Sequence, residues 1–287
     1  AGSVANNNFI TLEAIEELKV NVSPYDVRQS GFTGGLINAI TRGGTNVWRG
    51  SIFSYGRNEA LVGLSPDANR RPFENFFDAQ FGGRVGGPLI KDKLFLHVSA
   101  ESRQRSTPAE VGLNDPNSLN NFPVPRQVID DIATNVRNQY GYDPGQTENP
   151  TSIPNQSYNI LTRIDWNIDE DNKLQFRHNL LYGTQLRNLQ RTTTLYGFGS
   201  QANEFTTMSN QFVAQLNTIV GESIANEFRI SVTVTNEERV NAGARFPESR
   251  IYVGSREAVV FGPDRTSQAN ALDQQVITVT DDISVFF

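Results

Sequence analysis

The 287-residue sequence contains no cysteine, which excludes disulfide frameworks, thiolate nucleophiles and cysteine-based zinc or iron–sulfur sites. Histidine is scarce, with His97 and His178 each alone in a strand-like stretch. A histidine metal site or general base needs a second ligand or an orienting partner, and no local pair supplies one. The better reading of both is as lumen or girdle residues. No apolar run approaches the roughly 20 residues of a spanning helix. That leaves a soluble protein or one that crosses a membrane as tilted strands, whose alternation averages away in hydropathy. A dense basic field is missing too. With 25 Lys and Arg against 31 Asp and Glu, the net charge is −6 and nucleic-acid binding has no patch for counterion release.

Familiar reaction signatures are also absent. Glycine pairs occur at 34–35, 43–44, 82–83 and 86–87, but none leads into Lys-Ser/Thr and none forms GxGxxG. They are expected to serve close backbone approach or strand curvature, letting a neighbouring segment pack tightly against 82–87. No Gly-x-Ser-x-Gly elbow exists. Asp169-Glu170-Asp171-Asn172 lacks the spacing, glycine and distal glutamate of a calcium loop and reads as a polar turn. The expectation is a non-enzyme with no catalytic residue, metal or cofactor. The sequence opens without Met or a signal-like segment and closes on the strand-like run 283–287, so both ends are expected to be truncations.

What is present is a polar, β-rich chain: 37% apolar and crowded with Asn, Thr, Ser, Gln and Gly. After a compact Gly-punctuated α+β segment over 1–46, one theme repeats. The pattern predicts strands at 47–56, 76–87, 93–104, 158–168, 173–186, 207–220, 224–239 and 275–287. Their connections alternate: short at 88–92, 169–172 and 221–223, long at 57–75, 105–157, 187–206 and 240–274. Outer-membrane barrels alternate in this way, and a soluble sandwich has no reason to put every long loop at one end.

Within the strands, side chains alternate with period two. Tyr158, Ile160, Thr162, Ile164, Trp166 and Ile168 oppose Asn159, Leu161, Arg163, Asp165 and Asn167. Leu174, Phe176, Leu180 and Tyr182 oppose Lys173, Gln175, Arg177 and Asn179. Phe228, Ile230, Val232 and Val234 oppose Glu227, Arg229, Ser231 and Thr233. One face suits lipid and the other a wet lumen, with Tyr158, Trp166 and Tyr182 placed as a girdle. The competing reading is an antiparallel sheet with one face on a soluble core. Inside the longest connection, Val128, Ile129, Ile132, Val136 and Tyr140 recur at helical spacing after Pro125 and before Gly141. This predicts a helix over 126–140 packing on the barrel rim.

The segment Ile15-Glu16-Glu17-Leu18-Lys19-Val20, the turn Ser23-Pro24-Tyr25-Asp26-Val27-Arg28, and the run Gly31-Phe32-Thr33-Gly34-Gly35-Leu36-Ile37-Asn38-Ala39-Ile40-Thr41-Arg42-Gly43-Gly44 closely resemble the end of a TonB-dependent receptor plug. Trp48 to Phe53 resembles the first barrel strand of that family, and 81–95 its second strand, first periplasmic turn and third strand. The wording is nearest the Oar-like subgroup. The resemblance implies an outer-membrane all-β fold: about eight strands of a plugged antiparallel barrel of about 22, with plug at 1–46 and barrel at 47–287. It implies import of an unknown extracellular ligand, driven by the TonB–ExbB–ExbD complex, through a protein set in a lipid bilayer. The plug motif residues are Tyr25, Arg28, Gly31, Gly34, Gly35, Ile37, Asn38, Thr41 and Arg42, with Arg28 and Arg42 expected to pair with Asp165 or Glu227. Two other readings remain, a surface adhesion or assembly protein on the same scaffold and a soluble carbohydrate-binding module. Eight strands from a wider barrel are expected to leave two raw edges and not to form a stable barrel alone.

Overall fold

The computed structural model describes residues 10–22, 35–64, 66, 70, 73, 75–108, 111–113, 120–147, 152–187, 189–266 and 270–286. A single 3-10 turn, Leu12–Ala14, leads into β1 (Ile15–Val22), which pairs antiparallel with β2 (Gly35–Thr41) as a separate two-stranded sheet. Eight long strands then form one meander: β3 (Arg49–Asn58), β4 (Phe77–Ile90), β5 (Leu94–Pro108), β8 (Ser152–Asn167), β9 (Asn172–Arg187), β11 (Asn203–Val220), β12 (Ile224–Asn241) and β15 (Ala271–Val285). All eight expected strands are there, each paired antiparallel with its neighbours in chain order. The sheet is open, and β3 and β15 are its two edges.

Several strands outrun their expected limits, mostly into the long connections. β8 starts at Ser152 rather than 158, β5 runs on to Pro108, and β11 begins at Asn203. Pairing, not local sequence, sets those ends: each extra residue gains a ladder partner on the adjacent strand. Pro88, expected in a turn, sits inside β4 where the register slips between Pro88 and Ile90, a place where a missing N–H is tolerated. The turns at the other end are tight. Asp169 Oδ1 accepts from the amides of Asp171 and Asn172, at 3.0 and 2.7 Å, and so closes the polar turn.

The long connections hold structure that the pattern did not reveal. The four-residue helix α1 (Glu59–Val62) follows β3. β6 (Val111–Leu113) and β7 (Asn120–Phe122) pair in parallel, while β10 (Leu195–Gly197), β14 (Ala258–Phe261) and β13 (Ser249–Tyr252) form a three-stranded sheet. The helix α2 (Arg126–Tyr140) has the expected limits, with Pro125 at its N-cap and Gly141 closing it at φ 62°. Its partner differs from the expected barrel rim. Ile129, Ala133 and Val136 pack into a buried cluster with Phe122, Tyr142, Tyr196, Phe198, Val259 and Phe261, all drawn from the long connections. We call this unit the cap. A rim of exposed strand ends offers little apolar area, whereas pooled loop aromatics remove their rings from water.

Candidate functional site

Residues 11–14 and the β1–β2 pair lie against one face of the long sheet, here the inner face. Thr11, 1% exposed, exchanges a hydroxyl hydrogen bond with Ser99 at 3.1 Å. Glu13 accepts from the Ser51 hydroxyl and from Arg84 Nε, both at 2.8 Å. The Ser51 hydroxyl, followed by Arg84, holds the Glu13 carboxyl below the ordinary carboxylate value against the opposing effect of burial. Arg163 is bound to Asp165 on its own strand and sends Nη1 to the Thr41 carbonyl at 2.5 Å and to its hydroxyl at 3.2 Å.

The close approach falls at Gly43 and Gly44. A Cβ on Gly44 would lie 2.5 Å from Phe95 Cβ and 3.0 Å from the Leu96 carbonyl oxygen, and one on Gly43 would meet the Asp165 carboxylate at 3.1 Å. The glycines of β4 are expected to allow curvature or close approach of the plug; the neighbours they admit come from adjacent strands or their immediate ends, rings at Gly82 and Gly87 among them. A Cβ on Gly82 would lie 2.6 Å from the Phe53 ring, and one on Gly87 would run into Trp48. Asn46 fastens the exit of the hairpin to the first tight turn, donating to Asp92 Oδ1 at 2.5 Å and accepting from its amide at 2.8 Å.

Of the motif residues, Tyr25, Arg28, Gly31 and Gly34 lie outside the described residues. Gly35 and Ile37 stand in β2 opposite Val22 and Val20. Asn38 pairs with Lys19, and both line a polar cavity of about 700 Å³ facing Asn217, Asn226, Glu227 and Arg229. Thr41 is 2% exposed. The expected pairing of Arg42 is not made: Asp165 is held by Arg163 and Glu227 by Arg229. Strand neighbours two residues apart on one face reach those carboxylates first. The backbone amide of Arg42 donates to the Ala14 carbonyl at 2.8 Å, and its side chain lines a cavity of about 190 Å³ with Glu16, Arg49, Arg84 and His97.

Register assigns the remaining residues to faces. The residues that touch the hairpin, Ser51, Arg84, Ser99 and Arg163, define the inner set, and His97 is 2% exposed within it. Phe228, Ile230, Val232 and Val234 all stand on the opposite, outer face, where Phe228 and Ile230 are 39% and 36% exposed. Tyr158 and Tyr182 meet across β8 and β9 with ring centroids 6.3 Å apart, and Trp166 lies near the tight-turn end, all three outward. His178 is also outward, stacked on Phe212 with centroids 4.4 Å apart and bonded to Asn210 at 3.0 Å. Among the described residues no group of His, Asp and Glu is arranged to hold a metal. Sequence reasoning missed Thr11, Glu13, Ser51, Arg84 and Ser99. The available signal was parity, because polar residues at inward positions need a polar partner.

Comparisons with known proteins agree with this architecture. Residues 40–280 match the family model of the outer membrane beta barrel domain. Over 99 residues the chain is 30% identical to the TonB-dependent transporter Oar of Myxococcus xanthus, spanning 32% of this chain and 9% of that protein. Among solved structures, the outer membrane transporter YddB from Escherichia coli superposes with a TM-score of 0.60 at 11% identity, covering 94% of this chain and 32% of that one. The siderophore receptor PirA from Acinetobacter baumannii gives 0.51 at 15% identity over 96% of this chain and 32% of that chain. The chain thus spans about a third of each of these structures, and at such identities they speak for the fold. The family removes the reading as a soluble carbohydrate-binding module. With the family model covering most of its length, the chain belongs to the outer membrane β-barrel family, which places it in the bacterial outer membrane.

Proposed function

We propose that this chain is the junction between plug and barrel in an energy-coupled transporter, which takes up a ligand without chemically altering it. In this reading 1–46 is the last part of the plug and 47–287 the first part of a barrel of about 22 strands. The long connections are extracellular, and Phe228, Ile230, Val232 and Val234 meet lipid. The carrying observation is how the hairpin is held. Among the described residues no backbone–backbone hydrogen bond joins it to the eight-stranded sheet, and its attachments are side chains such as Thr11–Ser99, Glu13–Arg84 and Thr41–Arg163. A strand in a ladder would have to unzip the wall, whereas separate polar contacts can yield to a pull one after another. The pull would come from TonB–ExbB–ExbD and the proton gradient, as in the transporter family that the sequence resembles.

The absence of cysteine gives a direct test. In the full-length protein, with any cysteine outside 1–287 replaced, Thr11→Cys with Ser99→Cys, whose hydroxyls now touch, would form one defined disulfide. Gradient-dependent uptake should stop when the pair is oxidised and return on reduction. Undiminished uptake by the oxidised protein would show that this hairpin does not move. A second reading, surface adhesion with the plug kept shut, is favoured by the cap, a folded unit large enough to present a binding face. It predicts surface binding that collapsing the gradient leaves unchanged.

A further inference from the structure

Near the end of the sheet that carries the long connections, inward side chains of β9, β11 and β12 form a two-row block. Arg187, Asn203 and Asn241 are cross-strand neighbours in one row, and Gln185, Phe205 and Arg239 in the next. Phe205 is 2% exposed, and both guanidiniums lie over its ring, Arg187 at 4.1 Å and Arg239 at 5.6 Å from the centroid. The ring holds two cations side by side on the wall, which mutual repulsion would otherwise spread apart. Arg187 is steadied further by donating Nε to Gln185 at 3.1 Å.

Two deficits meet at this block. Among the described residues no carboxylate forms an ion pair with either arginine. Glu237 is the inward residue two positions before Arg239 and lowers the local charge without bonding to it. Asn203 is 1% exposed, yet neither its Oδ1 nor its Nδ2 has a hydrogen-bond partner. The Oδ1 of Asn241 and the Oε1 of the fully buried Gln201 also lack partners, although Gln201 Nε2 donates to the Gly262 carbonyl. Buried amides are normally bonded, and these exceptions stand beside two cations that Glu237 offsets only from a distance.

We propose that this block is a subsite for an anionic group, a carboxylate or phosphate carried by a ligand entering from the long-connection end. The planar forks of Arg187 and Arg239 match such oxygens, and Asn203 Nδ2 adds a neutral donor. The amide oxygens of Asn203 and Asn241 accept from a hydroxyl or N–H beside the anion. The direction of entry and the cargo role rest on the transport reading, but the binding itself needs neither TonB nor a gradient.

The test is calorimetric titration of purified full-length protein in detergent micelles with inorganic phosphate and, separately, citrate, at low ionic strength and pH 7. Saturable binding of one or both is expected, and which anion binds more tightly separates phosphate from carboxylate. Arg187→Gln and Arg239→Gln should each weaken it about ten-fold or more, as loss of a charged hydrogen-bond donor does. Arg187→Lys should fall between, and Arg250→Gln, at an exposed position of β13, should change nothing. Heat-modifiable gel mobility verifies that each variant is folded. No saturable binding of either anion, or folded Arg187 and Arg239 variants that bind like the parent, would overturn the proposal. So would an equal loss in Arg250→Gln. Intact anion binding without gradient-dependent uptake would instead remove the transport reading and leave the subsite standing.

Discussion

On the outer face of the eight-stranded sheet the apolar side chains stay accessible: Phe228 is 39% exposed, Ile230 36% and Ile277 60%. In the cap, Phe122, Ile129, Tyr196 and Phe198 are each 0% exposed. Similar residue types are thus deployed in opposite senses within one chain. The cap solves the ordinary problem of a protein in water, pooling rings such as the stacked Tyr142 and Phe246, whose centroids are 4.1 Å apart. The sheet hides its polar atoms instead. Its strands satisfy one another's backbone, and most of its charged side chains turn inward, while outward ones such as Glu204, Glu238 and Asp273 stand near strand ends, an arrangement that suits a wall in hydrocarbon. If the outer row meets lipid as proposed, two solvents act on this sequence, and hydrophobic burial measures stability in only one of them.

Substitutions can break or sharpen that contrast. The largest effect is expected from Phe198→Ala, which removes a fully buried ring from the cap at about 3–5 kcal/mol. Limited proteolysis should then cut the long connections while the sheet keeps its heat-modifiable mobility; a sheet that unfolds with the cap would mean the two are one cooperative unit. Next comes Val232→Arg, in the outer row between Phe212 and Ile277. Equilibrium folding into phosphatidylcholine vesicles should lose about 2–4 kcal/mol, the cost of a cation at the midplane. Thr233→Arg, one residue along and facing inward, should lose far less, and equal losses would refute the assignment of faces.

A smaller, pH-dependent effect is expected where the hairpin meets the wall. Because the Glu13 carboxyl is held below its ordinary value, its contribution is complete above about pH 4.3 and declines as the pH falls through the lower folded value. Hairpin release, followed by labelling of a Thr11→Cys thiol, should therefore rise in acid, and Glu13→Gln should flatten that dependence. The smallest effect belongs to Asp143→Asn in the cap. The Gly145 amide and then Arg137 hold this carboxylate below its ordinary value, but the pair is exposed, so thermal stability should shift by no more than about 0.5 kcal/mol.

The elements differ in how much of them a sequence reader can recover, for identifiable reasons. The limits of α2 are local matters: Pro125 presets the first turn, Gly141 supplies the left-handed exit, and Ile129 and Val136 mark the buried face. The pattern of strands and alternating connections likewise revealed all eight long strands, and period-two alternation showed which residues share a face in three of them. The three-residue strands of the cap carry no such signal, because four or fewer residues show no period and take their pairing from distant segments such as Leu195 with Ala258. The hairpin's seat was half legible. Thr41 and Arg42 stood out by motif, but Arg163, 122 positions from Thr41, did not.

Composition and alternation by themselves determined a polar β-chain with two unlike faces, tight turns at one end, long connections at the other and one helix among them. These follow from preferences that act within a turn or a few residues of strand. Only the tertiary structure decided that Gly43 and Gly44 are the points of close approach, that Arg163 rather than Arg42 holds Asp165, and that the long connections share a core. Each of those outcomes is a competition among side chains far apart in sequence, settled by distance and desolvation once the strands have paired.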